Sequence, residues 1–159
     1  RYEDTEGNPL DVPELKPKEM PPLFEVAEQW GLSVTWLPSD GYRYGSYSPG
    51  RKEILLATHD ESTFFHELAH AAHQKVKGKL ERGQDWKQEI VAELTAAVLA
   101  HLCGRRTNDG AAYQYIRFYA EKAGKDVYKA CLSVIADVGR CVERIINVRE
   151  EKALIAEGL

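Results

Sequence analysis

Residues 64–72 read FFHELAHAA, which places two histidines and a glutamate among apolar side chains. On an α-helix, positions four apart lie one above the other, about 6 Å apart along the axis, so His66 and His70 can reach the same ion. Glu67 projects beside that face, where it can take a proton from a water bound to the ion. The spacing predicts a zinc site with His66 and His70 as ligands and Glu67 as the general base.

An HExxH sequence also occurs by chance on polar helix faces, where it forms a solvated pair of side chains. Here the neighbours of the motif are Phe64, Phe65, Leu68 and alanines. Such a context would bury three polar side chains without partners, which is costly. The metal interpretation is therefore favoured over the solvated pair.

The third zinc ligand is expected from the next predicted helix, because a catalytic zinc has three protein ligands and one open position. Glu89 and Glu93 lie four apart on one face of that helix, and small Ala96 and Ala97 follow them. We predict that Glu89 is the third ligand and that Glu93 accepts the ring N–H of a liganding histidine. The reverse assignment of the two glutamates stays open at this point.

Turn residues and hydrophobic periodicity predict an α+β fold. A small antiparallel sheet, a meander of three strands, is expected to pack on the HExxH helix, with further helices towards the C-terminus. Residues 52–57 are the expected edge strand, and residues 150–159 are expected to fray. The expected helices cover 23–30, 60–77, 86–103, 110–123 and 126–149, and the expected strands 33–37, 42–47 and 52–57.

Composition narrows the function classes. The chain has 159 residues, a formal net charge of -4 and 29% charged residues, which argues against a domain that coats nucleic acid. No apolar run is long enough to cross a bilayer, so no membrane span is expected. Cys103, Cys131 and Cys141 lack CxxC spacing, so we expect reduced thiols in a cytoplasmic protein and no cysteine among the zinc ligands.

Several further side chains could assist chemistry. His73 lies on nearly the same helix face as His66, and a packing or hydrogen-bonding role is favoured for it over contact with substrate. One tyrosine could donate a hydrogen bond to an oxyanion. Aromatic packing is favoured for each candidate, and the sequence does not choose among Tyr113, Tyr115, Tyr119 and Tyr128.

Two segments, HELAHAAH (66–73) and EIVAELTAAVLA (89–100), resemble the zincin-like peptidase domain of ArdC-type antirestriction proteins and the related polyvalent peptidase domains of phages and mobile elements. Residues 1–10 resemble the stretch that closes the single-strand-DNA-binding domain of such proteins, and residues 113–146 resemble their C-terminal helical pair. The longer HExxHxxGxxH ligand pattern is absent, since position 73 is His and position 76 is Val.

The resemblance implies a zincin-like fold, with His66, His70 and Glu89 as zinc ligands and Glu67 as the general base. Glu93 stands where the glutamate-zincin ExxxD arrangement has its second acid. Residues 1–21 would then be an extended linker at the end of a missing N-terminal domain, and residues 22–159 the zincin-like domain. That missing domain would bind single-stranded DNA.

Two functions follow as expectations. The first is a zinc peptidase that hydrolyses peptide bonds of a peptide or protein substrate, within an antirestriction or mobile-element protein. The alternative is a non-proteolytic antirestriction or DNA-associated binding module with a structural zinc site. Glu67 favours the enzyme, because a structural zinc site has no use for an acid at that position. No feature of the sequence indicates an oligomeric state.

Overall fold

A computed structural model describes residues 15–39, 41–81 and 83–156. The predicted α+β class is confirmed, although most of the predicted linker over residues 1–21 lies outside the described residues. The elements follow in the order α1 (Phe24–Gln29), β1 (Ser33–Trp36), β2 (Gly45–Ser48), β3 (Glu53–Leu56), α2 (Glu61–Lys77), α3 (Trp86–Leu102), α4 (Asp109–Lys122) and α5 (Val127–Ala156).

The three strands form a mixed sheet in the order β1-β3-β2, so the predicted antiparallel meander is wrong. β2 and β3 are antiparallel neighbours joined by a turn, whereas β1 pairs with β3 in parallel, with Val34 opposite Ile54. The segment between β1 and β2 is longer than a hairpin turn, which allows the chain to pass β3 and add β2 on the far side.

The predicted edge strand at residues 52–57 is also wrong, because β3 is the central strand. β3 is central because it is the most apolar of the three strands. β3 has the sequence EILL and buries Ile54 and Leu56, while β2 has the sequence GSYS and is only partly buried along its whole length. A central strand is covered by neighbours on both sides, so the most apolar strand occupies that position.

The helices begin and end at residues whose side chains or backbone suit those positions. The Asp60 carboxylate accepts a hydrogen bond of 3.0 Å from the Ser62 amide at the start of α2, and Asp85 and Asn108 cap α3 and α4 in the same way. Gly78 ends α2 with a φ of 80°, which glycine adopts without strain. The caps therefore fix where the HExxH helix and its neighbour start.

The last helix continues beyond the predicted end. α5 reaches Ala156, so the expectation that the helix stops near residue 149 is wrong. The expected fraying of residues 150–159 stays a prediction. Residues 150–156 are EEKALIA, all but one of them strong helix formers, with no glycine or proline before Gly158. Among the described residues, no helix has the length and apolar content that a bilayer span requires.

α2 lies at the centre of the molecule, where it contacts β2, β3, α3 and α5. Its Phe64, Phe65 and Leu68 are almost fully buried, as are Ile90 and Leu99 of α3. Ala69 and Ala72 of α2 and Ala92 of α3 are also fully buried, and side chains this small allow helices to approach closely. The core therefore holds α2 and α3 side by side and fixes the spacing of the polar groups that they carry.

Candidate metal centre

The two motif histidines lie one helical turn apart on α2 with their rings in contact. The ring centroids are 4.9 Å apart and the rings meet edge to face at 74°. The side chains of His66 and His70 are 13% and 14% exposed, so both are mostly buried but still in contact with solvent. A reaction centre needs this combination of a largely dry environment and access from solvent.

Glu89 of α3 completes a group of three ligand atoms. Its Oε2 lies 3.5 Å from Nε2 of His66 and 3.8 Å from Nε2 of His70, and one ligand atom from each residue falls within 4.8 Å of the others. Ligand atoms about 2.1 Å from a tetrahedral zinc would be about 3.4 Å apart. These donors therefore fit a zinc ion with small adjustments of the side chains.

Glu93 contacts the other side of the His66 ring. Its Oε2 lies 2.9 Å from Nδ1 of His66, so the ring donates its Nδ1–H to this carboxylate and leaves Nε2 for an ion. Glu89 faces the Nε2 atoms of both histidines. The sequence left open which glutamate is the ligand. The geometry favours Glu89 as the ligand and Glu93, one turn further along α3, as the acceptor of the His66 ring N–H.

The charges in the cluster depend strongly on one another. Burial acts to lower the pKa of His66, but hydrogen bonds to Glu89 and Glu93 outweigh it and raise this pKa to about 10. Burial acts to raise the pKa of Glu89, but hydrogen bonds from His66, His70 and Tyr115 lower it instead. The carboxylates thus hold positive charge at this point, which is where a divalent cation would replace the histidine proton.

Glu67 lies beside the cluster and is only 7% exposed. Burial raises the pKa of Glu67, and the positive charge of His66 and His70 acts in the opposite direction. Its carboxylate also accepts a hydrogen bond from the backbone N–H of Tyr47 in β2. A buried carboxylate with a raised pKa, fixed in place by a neighbouring strand, is suited to accept and release a proton.

Gly45 in β2 brings the strand unusually close to Glu67, a contact that the sequence analysis missed. A Cβ atom at this position would lie 2.6 Å from Thr63 Cγ2 and 2.9 Å from Glu67 Oε1. The available signal was a glycine inside a strand pattern, which often marks a close approach of the backbone. The strand therefore needs glycine here because no side chain would fit between β2 and α2.

The structure distinguishes the four candidate tyrosines. The Tyr115 hydroxyl donates a hydrogen bond of 2.5 Å to Glu89 Oε2. Tyr119 packs against the Tyr115 ring, with the ring centroids 4.9 Å apart. Tyr113 and Tyr128 are more than half exposed. Sequence periodicity could place these residues on helices, but the register of α4 against α3, which selects Tyr115, depends on tertiary packing.

His73 does not belong to the cluster of His66, His70 and Glu89. It is 3% exposed and packs towards α5, where its Nε2 lies 3.9 Å from Asp137 Oδ2. Within the described residues, neither of its ring nitrogens has a hydrogen-bond partner. This placement suits the packing role that the sequence favoured over substrate contact.

The environment of His73 leads to a prediction about acid stability. Burial lowers the pKa of His73, with Asp137 acting in the opposite direction. The unfolded chain, in which a histidine has a pKa of about 6.5, therefore takes up this proton first as the pH falls. The stabilisation is fully present above about pH 6.5 and is lost as the pH falls from there through the lower pKa of the folded state.

We expect the free energy of unfolding of the metal-free protein to fall more steeply between pH 7 and pH 5 than that of His73→Leu. The difference in slope should approach, at most, about 1.4 kcal/mol per pH unit, the effect of one proton. Urea denaturation at a series of pH values measures it. His101→Gln, at an exposed histidine of α3, should retain the wild-type slope. Parallel curves for wild type and His73→Leu would contradict the prediction.

Comparison of the chain with protein-family models, with curated proteins and with solved structures gives no match.

Proposed function

We propose that this chain is a zinc-dependent peptidase domain in which His66, His70 and Glu89 bind the metal and Glu67 is the general base. The observation that carries the proposal is the convergence of two imidazole Nε2 atoms and one carboxylate oxygen from adjacent helices. A structural zinc usually has four protein ligands and often cysteine. The three ligand atoms found among the described residues leave a position for water.

The proposed reaction is hydrolysis of a peptide bond. Zinc at this centre would lower the pKa of a coordinated water towards about 7 and polarise the substrate carbonyl. Glu67 takes one proton from the attacking water and delivers it to the leaving amine nitrogen as the C–N bond breaks. The carboxylate of Glu67 is then restored, and the hydroxyl group of the water stays on the carbonyl carbon.

The outer edge of β2 is the proposed place for substrate, because β2 is an edge strand of the sheet and contacts α2. Ala57 N–H donates to Tyr44 C=O, so this pair is of the hydrogen-bonded type. Such pairs alternate along an antiparallel ladder, and the backbone groups of Gly45 and Tyr47 therefore point away from β3. This edge adjoins Glu67, which already accepts the Tyr47 N–H, so the backbone groups left for a substrate strand are those of Gly45 and the Tyr47 C=O. An extended polypeptide added along it would pass the general base.

Gly45→Ala tests the close contact between this edge and the general base. The new methyl group must displace Thr63, Glu67 or the strand itself. We expect a loss of about 1–3 kcal/mol in the free energy of unfolding from overpacking. Turnover should fall by up to about 100-fold because Glu67 is misplaced. Urea denaturation and peptidase assays measure the two effects.

Two matched variants make the Gly45 test specific. Gly50→Ala alters a glycine in the β2–β3 turn with no atom within 4 Å of the added Cβ, so stability and turnover should stay near wild type. Adding Thr63→Ser to Gly45→Ala removes the closest clash. It should recover part of the lost stability and leave turnover low, because the contact with Glu67 persists. Recovery of full turnover would show that Glu67 is not displaced.

The proposed function is tested by incubating zinc-loaded and chelator-treated protein with denatured protein substrates and analysing the products by mass spectrometry. We expect cleavage in the zinc-loaded sample alone, with each pair of fragments summing to the parent mass plus one water. Zinc binding without cleavage of any substrate would favour the non-proteolytic binding module instead. Absence of zinc binding would eliminate both.

The resemblance to ArdC-type proteins supports a cytoplasmic antirestriction or mobile-element setting for this activity. In that setting a DNA-binding module would bring the peptidase to single-stranded DNA. The net charge of -4 makes the chain itself a poor candidate for binding DNA. The proposed substrate of the centre is therefore a polypeptide.

A further inference from the structure

Tyr115 is the one tyrosine of the described chain whose hydroxyl bonds to a proposed zinc ligand. It projects from α4 and donates to Glu89 Oε2 over 2.5 Å. The same oxygen faces Nε2 of His66 at 3.5 Å and Nε2 of His70 at 3.8 Å. The Tyr115 ring also meets the His66 ring edge to face, with centroids 5.4 Å apart. One side chain therefore contacts two of the three ligands.

A carboxylate oxygen has room for both contacts. Each oxygen of Glu89 carries two lone-pair directions, so Oε2 can accept the phenol hydrogen on one and bind an ion with the other. A glutamate side chain is flexible and loses rotamer freedom when it is held in a single orientation. A donor fixed by its own packing reduces that loss at the moment of metal binding.

The packing around Tyr115 fixes its hydroxyl. The ring is partly buried between His66 and Tyr119, and Tyr119 itself is only 3% exposed. A phenol, whose ordinary pKa is about 10, carries its proton at neutral pH, so the hydroxyl can donate to Glu89.

We propose that Tyr115 is a positioning residue of the metal centre, whose hydroxyl holds Glu89 Oε2 towards His66 and His70 and thereby sets the affinity for zinc. This inference rests on the proposed function of the same three residues as zinc ligands. It differs from the oxyanion role considered for the tyrosines. A hydroxyl that donates to Glu89 must break this bond before it can donate to a substrate.

The test is the zinc dissociation constant of Tyr115→Phe, measured by competition with a chromogenic chelator. We expect zinc to bind about 10- to 100-fold more weakly, as for other partners that orient metal ligands. The visible spectrum of the cobalt-substituted protein should also change, because the position of Glu89 alters the ligand geometry. Tyr113→Phe removes the hydroxyl of a mostly exposed tyrosine on the same helix and should leave both measurements close to wild type.

Two additions keep the test decisive. The thermal midpoint of the metal-free variant shows whether Tyr115→Phe is folded. If it is not, para-aminophenylalanine at position 115, which keeps the ring and a donor, takes its place. Near-wild-type zinc affinity in this folded variant supports the inference, and a large loss overturns it.

The outcomes distinguish failure of the proposed zinc site from failure of the proposed role of Tyr115. If wild-type protein binds no zinc, the proposed function fails, and the role of Tyr115 fails with it. If wild type binds zinc and folded Tyr115→Phe binds it equally well, the inference about Tyr115 is overturned and the proposed function stands. A lower turnover with unchanged zinc affinity would assign the Tyr115 hydroxyl to the substrate and not to Glu89.

Discussion

Replacement of Glu67 by glutamine is expected to lower peptide turnover by about 10²- to 10⁴-fold while the bound zinc is retained. Glutamine has nearly the shape of glutamate. Its side-chain oxygen can still accept the hydrogen bond that the Tyr47 backbone N–H donates to Glu67. It cannot take a proton from water. Because His66, His70 and Glu89 are untouched, metal content should stay at the wild-type level.

The measurement combines steady-state peptidase kinetics with elemental analysis of the same samples. Glu61→Gln is the matched control, because Glu61 lies in the first turn of the same helix and pairs with Arg105 at 2.8 Å. It should keep wild-type turnover. A Glu67→Gln protein that retained both zinc and full activity would refute the assignment of the general base.

The second large effect is stabilisation by the metal itself. Zinc at about 100 times its dissociation constant should add about 2.7 kcal/mol to the free energy of unfolding, since it binds the folded chain. For a chain of this size that corresponds to a rise of roughly 5–10 °C in the thermal midpoint. An excess of chelator should reverse the rise, because an ion held by only three side chains would exchange with solvent.

His70→Ala should abolish this response, because it removes one of the three ligand atoms within 4.8 Å of one another. Differential scanning calorimetry with and without zinc measures it for each variant. His101→Ala changes an exposed histidine in the last turn of α3 and should preserve the full shift. An undiminished shift in His70→Ala would mean that zinc stabilises the protein from some other site.

The helical part of the fold was predictable because its determinants are local. Asp60 and Gly78 bound α2, and the apolar spacing between them is helical, so the structure confirms the helix close to its predicted limits. The juxtaposition of α2 and α3 followed from chemistry, since two histidines and two acids in apolar surroundings are costly to bury separately. The structure brings these four side chains together.

The sheet was not predictable to the same degree because strand order depends on contacts between distant segments. Strands that follow one another along the chain were expected to pair, yet β1 pairs with β3. The apolar EILL of β3 was a usable signal for a central strand. Choosing Tyr115 from four tyrosines required the packing of α4 on α3, which no local pattern encodes.

The hairpin of α2 and α3 has a consequence for how the protein folds. The two histidines and two glutamates that face one another across these helices are His66, His70, Glu89 and Glu93, and the hydrogen bond between His66 and Glu93 spans 27 residues. Closing a loop of this length carries a small entropic cost, so the two helices can meet early. The parallel pairing of β1 with β3 closes a shorter stretch of chain, from Ser33 to Glu53, so the sheet and the helix pair can form independently of one another. Under the proposed function, the three zinc ligands are therefore in place as soon as α2 and α3 have met, whether or not β1 has joined the sheet.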